Sequence, residues 1–363
     1  MTDALAFRDL TTLRVGGAID NVRTPANRAE LIDSYRELST GRRDFFVIGG
    51  GSNIVPGEQP FDGTVLRVTT RGIERHNDGG RVLVTAQAGE PWDALVEWTV
   101  ANGLAGIEAL SGIPGTVGAA PIQNIGAYGA ELDDVFESLV FVPAGGAELR
   151  TLHRDDLRFG YRTSVIKEGL AGLVVSVTLA LIESPASTPI RYAQLASALA
   201  VEVGDVAPLA DVRRAVLALR ESKGMVLGDD PDSVSAGSFF TNPIVSGEVA
   251  RTLPVDAPRY PTTPEPAPII VPLGAEPVFP DRPESPGEIK LSAAWLIERA
   301  GIARGFSLPG SNAAVSSKHT LAIVNRGGAT ADEVIELARY ISIRVHDTFG
   351  IMLTPEPTFV NVE

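Results

Sequence analysis

Apolar positions recur along this chain at two spacings, and the spacing sorts the residues into helices and strands. Between Asn27 and Leu38 they fall at Leu31, Ile32, Tyr35 and Leu38, one side of an amphipathic helix. Trp92, Leu95, Val96 and Thr99 mark a second helix, opened by Glu90 and Pro91, running through Ala101 and stopped by Gly103. Val212, Ala215, Val216 and Leu219 stripe a third over Asp211–Ser222, with Gly224 behind it. A fourth begins near Ser292, and Thr330 with Glu333 caps a long fifth through Thr348. Apolar runs predict strands from Phe45 into the GGGSN turn, at Val65–Val68, at Arg81–Ala88 and at Leu173–Ile182. A hairpin is expected from Val135–Val142 to Ala147–Leu152, and a closing strand in TPEPTFVNV.

Two glycine-rich stretches interrupt this pattern. FFVIGGGSN ends an apolar strand in three Gly followed by Ser52 and Asn53, and lacks the Lys-Ser or Lys-Thr of a Walker loop. SGIPGTVGAAPIQNIGAYG, from Ser111 to Gly129, is long, uncharged and too rich in Gly for a regular helix interior or strand. It also carries Ile113, Val117, Ile122 and Ile125, which a solvated loop would not need. It therefore reads as a buried loop wrapped on a ligand. Backbone N–H groups with no side chains in the way make a nest for phosphate oxygens.

Composition narrows the class. With 363 residues two or three domains are expected; 44% hydrophobic and 21% charged residues are globular values. No apolar run reaches spanning length and the first residues lack a signal-peptide layout, so the expected compartment is the cytoplasm. No Cys occurs, which excludes disulfides, thiolate zinc, iron–sulfur clusters and a Cys nucleophile; four His without metal-binding spacing leave no expected metal. The net charge of −14 argues against general nucleic-acid binding. Only four Lys are present, and Lys167, Lys223, Lys290 and Lys318 each fall in a segment singled out by its pattern. An ammonium is a compact point charge suited to phosphate oxygens.

Three residues invite chemistry without proving it. In FGYRTSVIK, Arg162 fits an edge strand facing solvent as well as a cleft cation for a carboxylate, with Tyr161 packing away in the second case. Ser238, in SAGSFFTNP, is either a turn hydroxyl or a reacting one; no GxSxG surrounds it. Glu356 lies between two Pro in an otherwise uncharged terminal strand, as an exposed edge residue or a fixed carboxylate. From Pro254 to Pro286, eleven of the 26 Pro cluster in an aperiodic stretch of partly polyproline II character, with APIIVPLG and EPVFP apolar enough to lie on the body.

In this order, TLRVGG, GGGSN, the Ser111–Gly129 loop, FGYRTSVIK, GSFFTNP, KLSAAWLIERAG, SKH and PEPTFV make the chain resemble the UDP-N-acetylenolpyruvoylglucosamine reductase family over nearly its whole length. The resemblance implies an α+β fold: a two-part FAD-binding domain of the vanillyl-alcohol oxidase type and a C-terminal α+β substrate-binding domain. The parts would be residues 1–70, residues 71–210 completed by 351–363, and residues 211–350 with a Pro-rich insertion at 254–287. Non-covalent FAD would be held by Gly49, Gly50, Gly51, Ser52 and Asn53 of the first loop. The second loop would add Ser111, Gly112, Pro114, Gly115, Thr116, Gly118 and Ala119, then Gln123, Asn124, Gly126, Tyr128 and Gly129. Arg162, Ser238 and Glu356 would be catalytic, and Tyr192, Lys223, Asn242 and Lys318 would bind substrate. The implied reaction is NADPH-dependent reduction of UDP-N-acetylglucosamine enolpyruvate to UDP-N-acetylmuramate for peptidoglycan precursors, by a monomer without nucleic-acid or membrane partners. An FAD-dependent oxidase of the same fold acting on an alcohol or sugar, and a non-enzymatic nucleotide-binding module, are the alternatives.

Overall fold

The computed structural model describes residues 5–146, 148–262 and 287–362. Its first unit is a three-stranded parallel sheet in which Phe61–Arg67 lies between Ile19–Arg23 and Phe45–Ile48. The helix Arg28–Thr40 starts where the Asn27 side chain accepts from the Glu30 N–H, satisfying one of the donors that a first turn leaves bare. Its apolar side packs Leu31, Ile32, Tyr35 and Leu38 against Leu66 and Val68 of its own unit, and against Ala88, Val142, Leu173 and Val175 of the next. One helix thus serves two sheets.

The second unit is a six-stranded sheet whose neighbours run antiparallel. The order is Arg150–His153, Phe136–Pro143, Gly172–Glu183, Arg81–Gln87, Ile73–Asp78, with Leu104–Ala105 on the far end of Gly172–Glu183. Ile73–Asp78 has no apolar pattern to betray it: all but Ile73 are exposed along this edge. The helix Trp92–Ala101 buries Trp92, Leu95, Val96 and Thr99 on the sheet. The helix Leu209–Glu221 crosses the expected boundary at 211. It packs Val212 and Val216 with Leu195, Ala196 and Ile190, against Ala109 and Tyr128 of the second unit, and Arg213 pairs with Asp93 at 2.6 Å.

The third unit joins the three-stranded antiparallel sheet Ser235–Ser238, Ala322–Asn325, Ala313–Val315 to the helices Ala293–Arg299 and Ala331–Phe349. Phe239 and Phe240 are both buried in its core, as the bend in SAGSFFTNP requires. Arg259–Pro261 pairs antiparallel with Ile289–Leu291, so the Pro-rich stretch is a strand at its start rather than aperiodic throughout. APIIVPLG and EPVFP lie outside the described residues.

The terminal segment is a further correction. It was expected to complete the second unit, yet Thr358–Val360 pairs parallel with Ile54–Pro56 of the first. Thr358 N–H donates to Asn53 O at 3.0 Å and Gly57 N–H to Val360 O at 2.8 Å. Glu356 stands just before this strand, not in it.

Candidate active site

The two glycine loops meet. A Cβ on Gly50 would sit 2.7 Å from Gly115 Cα, one on Gly115 would sit 2.8 Å from Ser52 Oγ, and one on Gly49 would collide with the Thr116 hydroxyl. Ser52 Oγ donates to Pro114 O at 3.1 Å. Gly118 closes onto Ala88, where its own Cβ would lie 2.5 Å from that of Ala88. Only bare backbone fits at this seam, the condition for presenting N–H groups to a diphosphate. Next to the adjoining turn at Gly89, Thr70 Oγ1 and Gln87 Oε1 are buried with no hydrogen-bond partner among the described residues. A polar ligand would satisfy them. The cradle and its orphaned polar atoms fit a dinucleotide such as FAD.

Within the second loop the chain does not stay irregular. Val117–Gln123 winds into a 3-10 helix around Pro121, with Val117 buried but Ile122 exposed, against the expectation that the loop's apolar residues are covered. Ser111 donates to Glu108 O at 2.7 Å. Asn124, left-handed and buried, bonds Glu131, Gly160 O and the Asp133 N–H. These two expected cofactor ligands therefore hold the loop itself. Tyr128 and Gly129 both have positive φ, 50° and 84°, and turn the hairpin Gly126–Ala127/Ala130–Glu131 in two residues.

FGYRTSVIK is not an edge strand. It is a turn in which Arg162 adopts φ 57°, and that left-handed step swings the guanidinium inward. Its Nη2 donates to Gly126 O at 2.6 Å, and its Nε lies 3.8 Å from Glu356 Oε1. Tyr161 does not pack away: its hydroxyl accepts from Asn242 N–H at 3.3 Å, with Lys290 Nζ 4.8 Å from its ring centre. Glu356 is largely buried; burial pushes its carboxyl up, while Arg162, Lys167 and a Gln123 hydrogen bond pull it back. Gln123 Nε2 donates to Glu356 Oε1 at 3.0 Å. Ser238 ends its strand beside this cluster, because Glu356 N–H donates to Phe239 O at 2.9 Å and Phe240 bridges Pro355. Gly237 next to it has φ 77° and open space on its Cβ side.

The residues expected to bind substrate separate into three places. Tyr192 stacks edge-on against Tyr128 with ring centres 5.6 Å apart, and Lys223 Nζ lies 5.6 Å from the Tyr128 ring centre, so the hairpin tip gathers both. Burial first, and Arg220 second, lower the proton affinity of Lys223; a diphosphate would restore it. Asn242 sits at the Tyr161 end, its Oδ1 accepting from Ala293 N–H at 2.9 Å. Lys318 is turned elsewhere, paired with Asp230 at 2.6 Å. Lys167 and Tyr161, outside the expected set, also lie at this cluster, through Gln123 Oε1 and Asn242 N–H. The signal was present for Lys167, one of four Lys, in the same stretch as Arg162.

The chain matches two family models, the FAD binding domain over residues 19–152 and the UDP-N-acetylenolpyruvoylglucosamine reductase C-terminal domain over residues 230–360. It is 54% identical to the UDP-N-acetylenolpyruvoylglucosamine reductase of Leifsonia xyli subsp. xyli, covering 100% of both chains. It is 43% identical to that of Mycobacterium tuberculosis, covering 99% of this chain and 95% of the relative. The crystal structure of the Thermus caldophilus enzyme shares the fold, with a TM-score of 0.62 at 24% identity over 98% of this chain and 97% of that one. The chain belongs to the UDP-N-acetylenolpyruvoylglucosamine reductase family.

Proposed function

We propose that this protein reduces UDP-N-acetylglucosamine enolpyruvate to UDP-N-acetylmuramate, using FAD and NADPH, in peptidoglycan precursor synthesis. The observation that carries the reading is the meeting of Arg162, Glu356 and the Ser238 strand beside the glycine cradle. The Gly49–Asn53 and Ser111–Gly129 loops would hold FAD, which would supply the hydride chemistry between NADPH and the substrate's vinyl group. The chain supplies the remainder.

As hydride arrives, negative charge grows on the neighbouring carbon and spreads into the substrate carboxylate. Arg162, already aimed by Gly126 O and Glu356, receives that charge. Donors fixed beforehand cost no reorganisation at the moment of reaction. A carboxyl whose proton affinity is raised by burial can share a proton with the same enolate oxygen. Ser238 Oγ gives its proton to the carbon beside the ether oxygen and regains one from solvent; a hydroxyl suffices because a carbanionic centre is strongly basic. Lys223 and Tyr192 would hold the diphosphate end, and Asn242 the nearer part of the substrate. Lys318, turned towards Asp230, is the weakest of the proposed contacts.

A UDP-linked, multiply charged substrate does not cross a bilayer unaided, which supports a cytoplasmic place of work. Among the described residues no helix is long and apolar enough to cross a membrane.

Ser238→Ala tests the reading. Flavin reduction by NADPH should persist, while reoxidation by the enolpyruvyl substrate falls by about 10²–10⁴-fold. An unchanged second half-reaction removes Ser238 from the chemistry.

A further inference from the structure

We propose that Lys167 and Asn53 are positioning residues for Glu356, acting through the Gln123 amide and so tying the reacting carboxylate to the cofactor loop. The inference rests on the reaction assigned above. A Gln side chain has one acceptor oxygen and one donor nitrogen. Gln123 Oε1 receives Asn53 Nδ2 at 2.7 Å and Lys167 Nζ at 3.4 Å. A turned amide would set its NH2 against both donors, so Lys167 and Asn53 leave one orientation. That orientation points Nε2 at Glu356 Oε1, 3.0 Å away.

The consequence falls on the two oxygens of Glu356. Oε1 faces Gln123 Nε2 and, at 3.8 Å, Arg162 Nε. Both groups only donate, so a proton on this carboxyl is confined to Oε2. One oxygen is anchored and the other is left for substrate. Asn53 Nδ2 also reaches the Glu356 backbone oxygen at 3.4 Å, referencing main chain and side chain to the same GGGSN turn. The loop that grips the cofactor therefore also orients the carboxylate that acts above it.

Charge follows the same geometry. The groups facing Glu356 are Arg162 and Tyr161 from one turn and Lys167 farther along the same stretch, while Lys290 of the third unit lies over Tyr161. Its own segment, Thr354 to Pro357, adds none. Lys167 is exposed, and its positive charge still favours the ionised carboxylate.

Lys167→Met in the FAD-loaded enzyme removes one of the two donors that hold the amide, leaving Asn53, and deletes that charge. Reoxidation by the enolpyruvyl substrate should slow by about tenfold to a hundredfold, with flavin reduction by NADPH affected far less. The limb of the pH profile that belongs to Glu356 should move to higher pH, because a charge that held its proton affinity down is gone. In the flavin-free protein, the infrared band of the protonated carboxyl that Glu356→Gln abolishes should persist to higher pH. Lys167→Arg should recover most of the lost rate, and Lys167→Gln serves if the Met variant fails to hold flavin. Equal losses in both half-reactions, an unmoved pH limb, or no recovery with Arg would overturn the inference. A wild-type enzyme that the enolpyruvyl substrate cannot reoxidise would instead sink the reaction itself.

Discussion

The glycine cradle and the Arg162–Glu356 cluster are neighbours built on opposite principles. The cradle is uncharged, made of backbone, and drawn from two short runs of sequence; its contacts exist because side chains are missing at Gly49, Gly50, Gly115 and Gly118. The cluster is made of side chains from Gln123, Arg162, Lys167 and Glu356, charged for the most part and drawn from separate stretches, with the end of the Ser238 strand beside it. Removing atoms makes the first; orienting them makes the second. Damage to the cradle should therefore abolish binding, and damage to the cluster should spare binding while slowing chemistry.

The largest expected effect tests the cradle. Gly50→Val places branched carbons where a single Cβ already lies 2.7 Å from Gly115 Cα, so the seam must open. The purified variant should be colourless, with flavin affinity down at least about a hundredfold by absorbance titration. A yellow Gly50→Val protein with normal affinity would break the contrast, since binding would then not depend on the seam.

A second experiment sharpens the contrast at the diphosphate end. Lys223 is half-buried beside Tyr128, whereas Lys318 is bound to Asp230. Lys223→Met should raise the KM for the sugar nucleotide about tenfold or more, with kcat changed less. Lys318→Met should move it by about twofold at most. Steady-state kinetics on the two variants decides which cation reads the diphosphate.

The last effect is on stability, and it leaves both the cradle and the cluster untouched. His319 is pushed down to about 4 by burial, with Lys223 and Arg304 adding to it. Its folded value lies below its unfolded value, so the fold favours the neutral ring. The resulting stability is full above the unfolded value and is lost as pH falls towards about 4. Across that window the loss amounts to up to about 3 kcal/mol. His319→Gln should flatten this part of the curve of unfolding midpoint against pH; an unchanged slope would place the titration elsewhere.

The same contrast explains what the sequence discloses. GGGSN and the Ser111–Gly129 run are legible because bare backbone is a local property, written in consecutive letters. Helices such as Ala331–Phe349 are legible for the same reason: the Thr330–Glu333 capping box and the apolar stripe lie within a few turns. The inward swing of Arg162 is not, because nothing in FGYR announces φ 57°. The contact of Tyr161 is equally hidden, since its partner Asn242 N–H is 81 residues downstream. The Ile73–Asp78 strand hides behind charged letters that suit an exposed edge. The return of Thr358–Val360 to Ile54–Pro56 is a pairing between distant strands, which no spacing records.

One feature of the third unit bears on how such a chain can change over time. Arg259–Pro261 and Ile289–Leu291 clasp the base of the Pro-rich stretch, with Thr262 N–H donating to Glu288 O at 3.2 Å. The ends of the intervening peptide are held together whatever its length, and closing a longer loop costs only slowly more entropy. Insertions and deletions beyond the clasp are separated by it from Lys290, which lies within the clasping strand Ile289–Leu291 and faces the Tyr161 ring. The clasp is a natural splice point, where foreign peptide could be grafted without disturbing turnover.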